Sequence, residues 1–372
     1  STPKPSSAAS DVYKRQGPLS TTASVKDAMQ IDYCTWDSDY RHVTETIRQQ
    51  ILAMAQANPE NYTTVLLQGS GSFGVEATIG TAVPRTDATL MIAINGAYGH
   101  RISQIAEYYD IPHIDVVFNE DEAVDPVRIE ATLADHPEIT HFATVHSETT
   151  TGILNPIEAL MPIMHEHGIV TIIDAMSSLG GVPISIDELD CDYLISSANK
   201  CVQGVPGFAF IIAKQATLAH TADNARSLCL DLYDQWQAMT KQPGKWRFTS
   251  PTHVVHAFAQ ALIELQAEGG VTPRYQRYHA SQQLLSDGLQ ALGFELVIDP
   301  AIQGPIITSF KYPNVDFDFA DFYQFIKQRG FVIYPGKVSN IPSFRIGTIG
   351  DVDTTDIQRL LTIIGDYQQL HR

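Results

Sequence analysis

Hydrophobic and polar positions alternate on two scales along this chain. Short apolar runs rich in β-branched and aromatic residues recur at 62–67, 89–94, 114–118, 140–145, 171–173, 193–195 and 208–213. Runs of this kind suit strands that are covered on both faces. Between several of them lie longer stretches with helical spacing of apolar positions, at 39–56, 126–135 and 156–167. The first of these should stop before Asn58-Pro59, because proline disfavours helix at the residue before it. Gly168 is placed to end the third. Repeated strand–helix alternation predicts an α/β fold, a mostly parallel sheet flanked by helices.

Beyond residue 252 the rhythm changes. A long apolar-periodic helix at 253–267 is followed by a helix at 275–292, strands at 295–298 and 306–310, a helix at 319–329, a strand at 331–334, the run Ser343-Phe344-Arg345-Ile346-Gly347 and a last helix from 355. Helices on one small sheet predict a second, smaller α+β lobe. The expected division is a large domain over 17–252 and a bridging helix with a small C-terminal domain over 253–372. Residues 1–16 are rich in Ser, Pro and Ala without an apolar period, and read as a disordered tail or an artefact. Gly17-Pro18-Leu19-Ser20 reads as a turn leading into a helix capped by Ser or Thr.

The chemistry gathers at the turns that follow the strands. The first strand runs into Gln68-Gly69-Ser70-Gly71-Ser72-Phe73-Gly74, where small residues and a helix start make a cradle for a phosphate dianion. Gly69, Gly71 and Gly74 also satisfy GxGxxG, but the ribose-binding acid of a dinucleotide site is missing. The next strand ends in Asn95-Gly96, and Asp87 lies before it. Tyr98 follows between Gly96 and Gly99, either as a packed ring at a helix start or as a ring that stacks on a planar ligand. A hydroxyl cluster, Ser147 to Thr151, follows the strand at 140–145. The strand at 171–173 ends at Asp174, and the next leads to Asn199-Lys200 and a Gly/Pro-rich run. Taken singly, such a lysine is usually a solvated loop residue and such an aspartate a helix cap. Together, at the strand ends where open α/β sheets bind ligands, an acid and an amine suit pyridoxal 5'-phosphate (PLP). The lysine would carry it and the carboxylate would hold its pyridine nitrogen protonated.

Composition narrows the setting. A chain of 372 residues that is 44% hydrophobic has enough apolar material for a large core in two lobes. No apolar run is long enough to cross a bilayer, and no signal-peptide pattern opens the sequence, so a cytoplasmic protein is expected. Cys34, Cys191, Cys201 and Cys229 lack CxxC spacing, which argues against a zinc site or disulfide frame. A net charge of −18 disfavours nucleic-acid binding, and an anionic substrate would need positive charge supplied locally.

The ordered set QGSGSFGVEA (68–77), NGAYGHR (95–101), HSETTTGILNP (146–156), IDAMSSLGG (173–181), SSANKCVQGVPG (196–207), FTSPTH (248–253) and FRIGTIG (344–350) resembles the class V, fold-type-I (aspartate-aminotransferase-like) PLP-dependent aminotransferases. The resemblance covers roughly Gly17 to the C-terminus. It implies that Lys200 carries the cofactor, Asp174 pairs with its pyridinium nitrogen, and Tyr98 and Met176 cover its ring. It implies a phosphate cradle of Ser70, Gly71 and Ser72, Thr150 near the phenolic oxygen, and Thr249 reaching the phosphate in the neighbouring subunit of a homodimer. Arg345 matches the arginine that holds the substrate's acidic group, and Gly17 belongs to a loop bordering the substrate. The chain has Lys14-Arg15-Gln16 where the family has a Thr-Pro pair and an apolar strand. The nearest likeness is to members that move the amino group of 2-aminoethylphosphonate to pyruvate; an alanine- or serine–glyoxylate aminotransferase is the alternative. A nicotinamide dehydrogenase and a non-catalytic phosphate-ligand binder are the readings from other classes.

Overall fold

The computed structural model describes residues 19–371. The tail at 1–16 and the substrate-loop position Gly17 lie outside the described residues. The strands occur in the order β1 (Tyr62–Gln68), β2 (Leu90–Ile94), β3 (His113–Val117), β4 (His141–Val145), the short pair β5 (Ser147–Glu148) and β6 (Ile153–Leu154), then β7 (Val170–Asp174), β8 (Tyr193–Ser197) and β9 (Phe208–Lys214). Seven of them form one sheet in the order β1-β9-β8-β7-β4-β2-β3. β9 runs antiparallel to both neighbours, and the other pairings are parallel. β5 and β6 form a separate antiparallel hairpin.

Every residue of β2, β4 and β8 is buried, as an apolar run covered on both faces requires. Period-two alternation then assigns side chains to two cores. Phe208, Phe210 and Ile212 of β9 enter one, while Ala209, Ile211 and Ala213 enter the other. The helices keep to their sequence signals. Asp125 caps Pro126–Asp135 through its side chain, with Pro126 in the first turn where its missing N–H is not needed. Helix Ser38–Met54 stops short of Asn58-Pro59. Helix Gly71–Ala82 lies so close to the sheet that a Cβ on Gly74 would strike Ala209 of β9.

Helix Thr252–Ala267 packs its apolar face, Val255, Phe258, Leu262 and Leu265, into the large-sheet core. The chain then forms a three-stranded antiparallel sheet in the order β10-β12-β11, from β10 (Ile307–Lys311), β11 (Tyr334–Pro335) and β12 (Ser343–Gly347). Its core joins Phe310, Phe344 and Ile346 to Leu285, Phe322, Ile357 and Ile364 of the surrounding helices. The strand expected at 295–298 is reduced to a single bridge between Leu296 and Phe310, cut off as Asp299-Pro300 opens a 3-10 turn. That expected at 331–334 is broken into an isolated bridge at Phe331 and a two-residue strand at Tyr334–Pro335. Among the described residues no helix is long and apolar enough to cross a membrane.

Candidate active site

The carboxyl ends of β2, β4, β7 and β8 face a cleft of about 230 Å³ whose far wall belongs to the small sheet, and β1 ends at the same edge of the large sheet. Tyr98, Thr149, Ser177 and Lys200 line it from the large sheet; Ile306, Ile307, Tyr334, Lys337, Arg345 and Ile349 line it from the other side.

At the edge strand β1, the chain turns through Gly69, whose φ of +131° suits glycine, and enters helix Gly71–Ala82. Ser70 is the N-cap residue, yet its hydroxyl makes no capping bond. Ser72 Oγ accepts a hydrogen bond from Arg101 Nη1 at 3.0 Å. A Cβ on Gly71 would meet the Met176 thioether, so a side chain there would have to push Met176 aside. The turn therefore offers free helix N-terminal donors, two hydroxyls and a guanidinium, a set matched to a phosphate dianion. β1 is an edge strand beside antiparallel β9, whereas a dinucleotide fingerprint follows the first strand of a parallel βαβ unit.

Asp174 and Lys200 arrive from neighbouring strands: Asp174 ends β7 opposite Ile195 of β8, and Lys200 follows β8 in the loop returning to β9. Asp174 is buried and accepts a hydrogen bond from Met176 N at 2.9 Å. Burial pushes its carboxyl up to about 6, helped by nearby Glu148 and opposed by that hydrogen bond, Arg101 and Lys200. Among the described residues this carboxylate forms no ion pair, which a pyridinium would supply. Tyr98 is half-buried on the first turn of helix Ala97–Tyr108, with the Arg101 guanidinium 5.0 Å and the Lys337 ammonium 5.1 Å from its ring centroid. Burial raises its phenol, but the charges of Lys337 and Lys200 outweigh this and bring it below its ordinary value.

Two expected residues are placed elsewhere. The Thr150 hydroxyl does not line the cleft; it is fully buried, donates to Glu148 Oε1 at 2.6 Å and accepts from Ala97 N at 2.9 Å. Thr249 is exposed on the surface, away from this chain's own cleft. Sequence reasoning missed Glu148 altogether. Its fully buried carboxylate accepts from Thr150 N (2.9 Å), Tyr98 N (3.2 Å) and Gly99 N (3.3 Å), so it caps the helix that presents Tyr98. Burial raises its pKa against these bonds. Gly96 is the available signal, since a Cβ there would strike this carboxylate.

Arg345 sits at the middle of β12, opposite Ser309 and Tyr334. Phe344 and Ile346 point into the small core, and period-two alternation sends Arg345 the other way, toward the large sheet. Its Nη1 donates to Thr149 O at 2.6 Å and its Nε to Pro335 O at 3.1 Å. Burial lowers its pKa, opposed by Tyr98, Tyr334 and Glu148.

The aminotransferase class-V family profile matches residues 32–352, so the chain belongs to that family. It is 53% identical over 349 residues to the 2-aminoethylphosphonate–pyruvate transaminase of Bacteroides fragilis, covering 94% of this chain and 96% of the relative. It is also 53% identical over 351 residues to the enzyme of that name from Bacillus cereus, covering 94% and 95%. In three dimensions it resembles the pyridoxamine–pyruvate aminotransferase of Mesorhizobium loti, with a TM-score of 0.88, 21% identity and coverage of 96% and 91%. Family membership makes pyridoxal 5'-phosphate the cofactor. The uncapped Ser70 hydroxyl, the close approach of Gly71 to Met176 and the buried Asp174 fit that molecule at its phosphate and ring-nitrogen ends.

Proposed function

We propose that this chain transfers the amino group of 2-aminoethylphosphonate to pyruvate, yielding phosphonoacetaldehyde and L-alanine in phosphonate breakdown in the cytoplasm. The observation that carries the reading is Asp174 at the end of β7 and Lys200 in the loop after neighbouring β8, with Arg345 across one cleft from Lys200. The sequence identity of 53% to enzymes of that name supports the choice of substrate.

The bound cofactor supplies an aldehyde that holds the amino group and a ring that accepts electrons. Lys200 Nζ would hold the cofactor at rest and, when free of it, would take the proton from the substrate's amine-bearing carbon. Asp174 would keep the proton on the ring nitrogen. Tyr98 and Met176 would cover the ring, and Ser70, Gly71 and Ser72 would hold the phosphate, with Arg101, already donating to Ser72, adding charge there. Arg345 orients the acidic group of donor and acceptor in turn. The proposed division is a large domain over 17–252 and, over 253–372, the bridging helix followed by the small domain.

The active form is a homodimer in which Thr249 of each chain reaches the other's phosphate. An apolar hollow of about 560 Å³ beside the cradle, lined by Leu67, Phe73, Leu230, Trp246 and Phe248, supports this, as do the exposed Phe73, Leu228 and Phe248. An amino-donor screen tests the whole reading. Purified holoenzyme should consume 2-aminoethylphosphonate with pyruvate far faster than alanine or serine with glyoxylate, and borohydride should fix the cofactor on the peptide bearing Lys200. Preference for glyoxylate would assign the chain to the alternative, and label on any other lysine would overturn the site.

A further inference from the structure

Among the described residues lining the cleft three are cationic, Lys200, Lys337 and Arg345, and none is acidic. In a chain of net charge −18 this is a local reversal. Lys200 is committed to the cofactor, and Arg345 is partly spent. With Nε given to Pro335 O, its remaining two-pronged edge is Nη1/Nη2, and Nη1 already donates to Thr149 O. That edge suits the two oxygens of a carboxylate. A phosphonate brings a third oxygen and more negative charge, and needs another donor.

The Lys337 loop is held where it can supply one. On one side Gly336 N donates to Ser343 O at 2.8 Å, and a Cβ on Gly336 would strike Ser343. On the other, Ser339 N and Oγ donate to Glu120 at 2.7 and 3.2 Å, tying the loop to the large lobe across the cleft mouth. Glu120 lies in the acidic run 119–122, which sequence alone reads as a solvated loop. Resting on the proposed reaction, we propose that Lys337 is a specificity-determining residue: with Arg345 it binds the phosphonate, which distinguishes the amino donor from carboxylate amino acids.

Lys337 is exposed, so replacing it leaves the core intact. The experiment measures calorimetric binding of ethylphosphonate and of propionate to wild-type, Lys337→Gln and Lys337→Arg holoenzyme, alongside single half-reactions with 2-aminoethylphosphonate and with L-alanine. Lys337→Gln should weaken ethylphosphonate at least about tenfold more than propionate, and Lys337→Arg should recover most of the loss. The same asymmetry should appear in the half-reactions, in KM more than in kcat. Glu120→Gln, which loosens the loop and leaves the cation, should give a smaller loss of the same sign. Equal losses for both ligands, or none, would overturn the assignment. Wild-type enzyme inert toward 2-aminoethylphosphonate would defeat the proposed reaction, while the binding pair still decides the role of Lys337.

Discussion

Asp174 is held at a cost that only its partner relieves. Its carboxyl is raised from 3.8 to about 6 by burial, so the folded apoprotein keeps a proton that the unfolded chain releases. Below pH 3.8 the group is neutral in both states. Between 3.8 and 6 the unfolded chain ionises and the fold does not, so stability falls as pH rises, and the deficit persists above 6. Asp174→Asn apoprotein should match wild type near pH 3.5 and gain up to about 3 kcal/mol by pH 8, read from thermal melts across that range. The same variant should lose at least about 100-fold in kcat, because a neutral amide cannot keep the ring nitrogen protonated. Arg345→Ala should behave in the opposite way. The spectrum of the bound cofactor should stay normal while kcat/KM falls by about 100-fold or more in both half-reactions, since donor and acceptor share the guanidinium.

Among the elements, the close approach of helix Gly71–Ala82 to the strand ends sets the tolerance of the cradle. Gly71→Ala would drive a methyl into Met176. The thioether is the flexible end of its side chain and can swing aside, so the fold should lose little, while the displaced Met176 should weaken cofactor binding, which a fluorescence titration with PLP would measure. This scale also marks how far the sequence could be read. The apolar runs located all seven strands of the large sheet; six are largely buried, and the half-exposed edge strand β3 was still marked by its β-branched residues. Asp174, Lys200 and Tyr98 were legible because each follows such a run. Glu148 was not, because a carboxylate among hydroxyls reads as a loop acid until Gly96, some fifty residues away, is seen to leave space for it. Lys337 was hidden for a related reason: its loop acquires a role only when Glu120 pins it to the other lobe. The strand at 295–298 failed because propensity cannot anticipate that only Leu296 finds a partner.

For the whole molecule, the exposed position of Thr249 carries the test of assembly. Thr249→Ala should lower PLP affinity about tenfold, the worth of one hydrogen bond to a charged group. Mixing Thr249→Ala chains with Lys200→Ala chains should restore one intact site per hybrid pair, since the Lys200-bearing subunit then receives Thr249 from the other. No recovery after mixing would count against shared sites. Oligomer size by light scattering supplies the independent check.

The antiparallel return of β9 has a wider consequence. Gly69 N donates to Gly207 O at 3.0 Å, and β9 pairs with β8 on its other side. The phosphate grip and the lysine loop are therefore set apart by the width of two hydrogen-bonded ladders. That spacing works as a ruler built from main chain, which side-chain replacement cannot reset. A B6 analogue with its phosphate arm lengthened by one carbon should bind more weakly, because the Lys200 loop or the turn at 69–74 would have to shift to hold both ends.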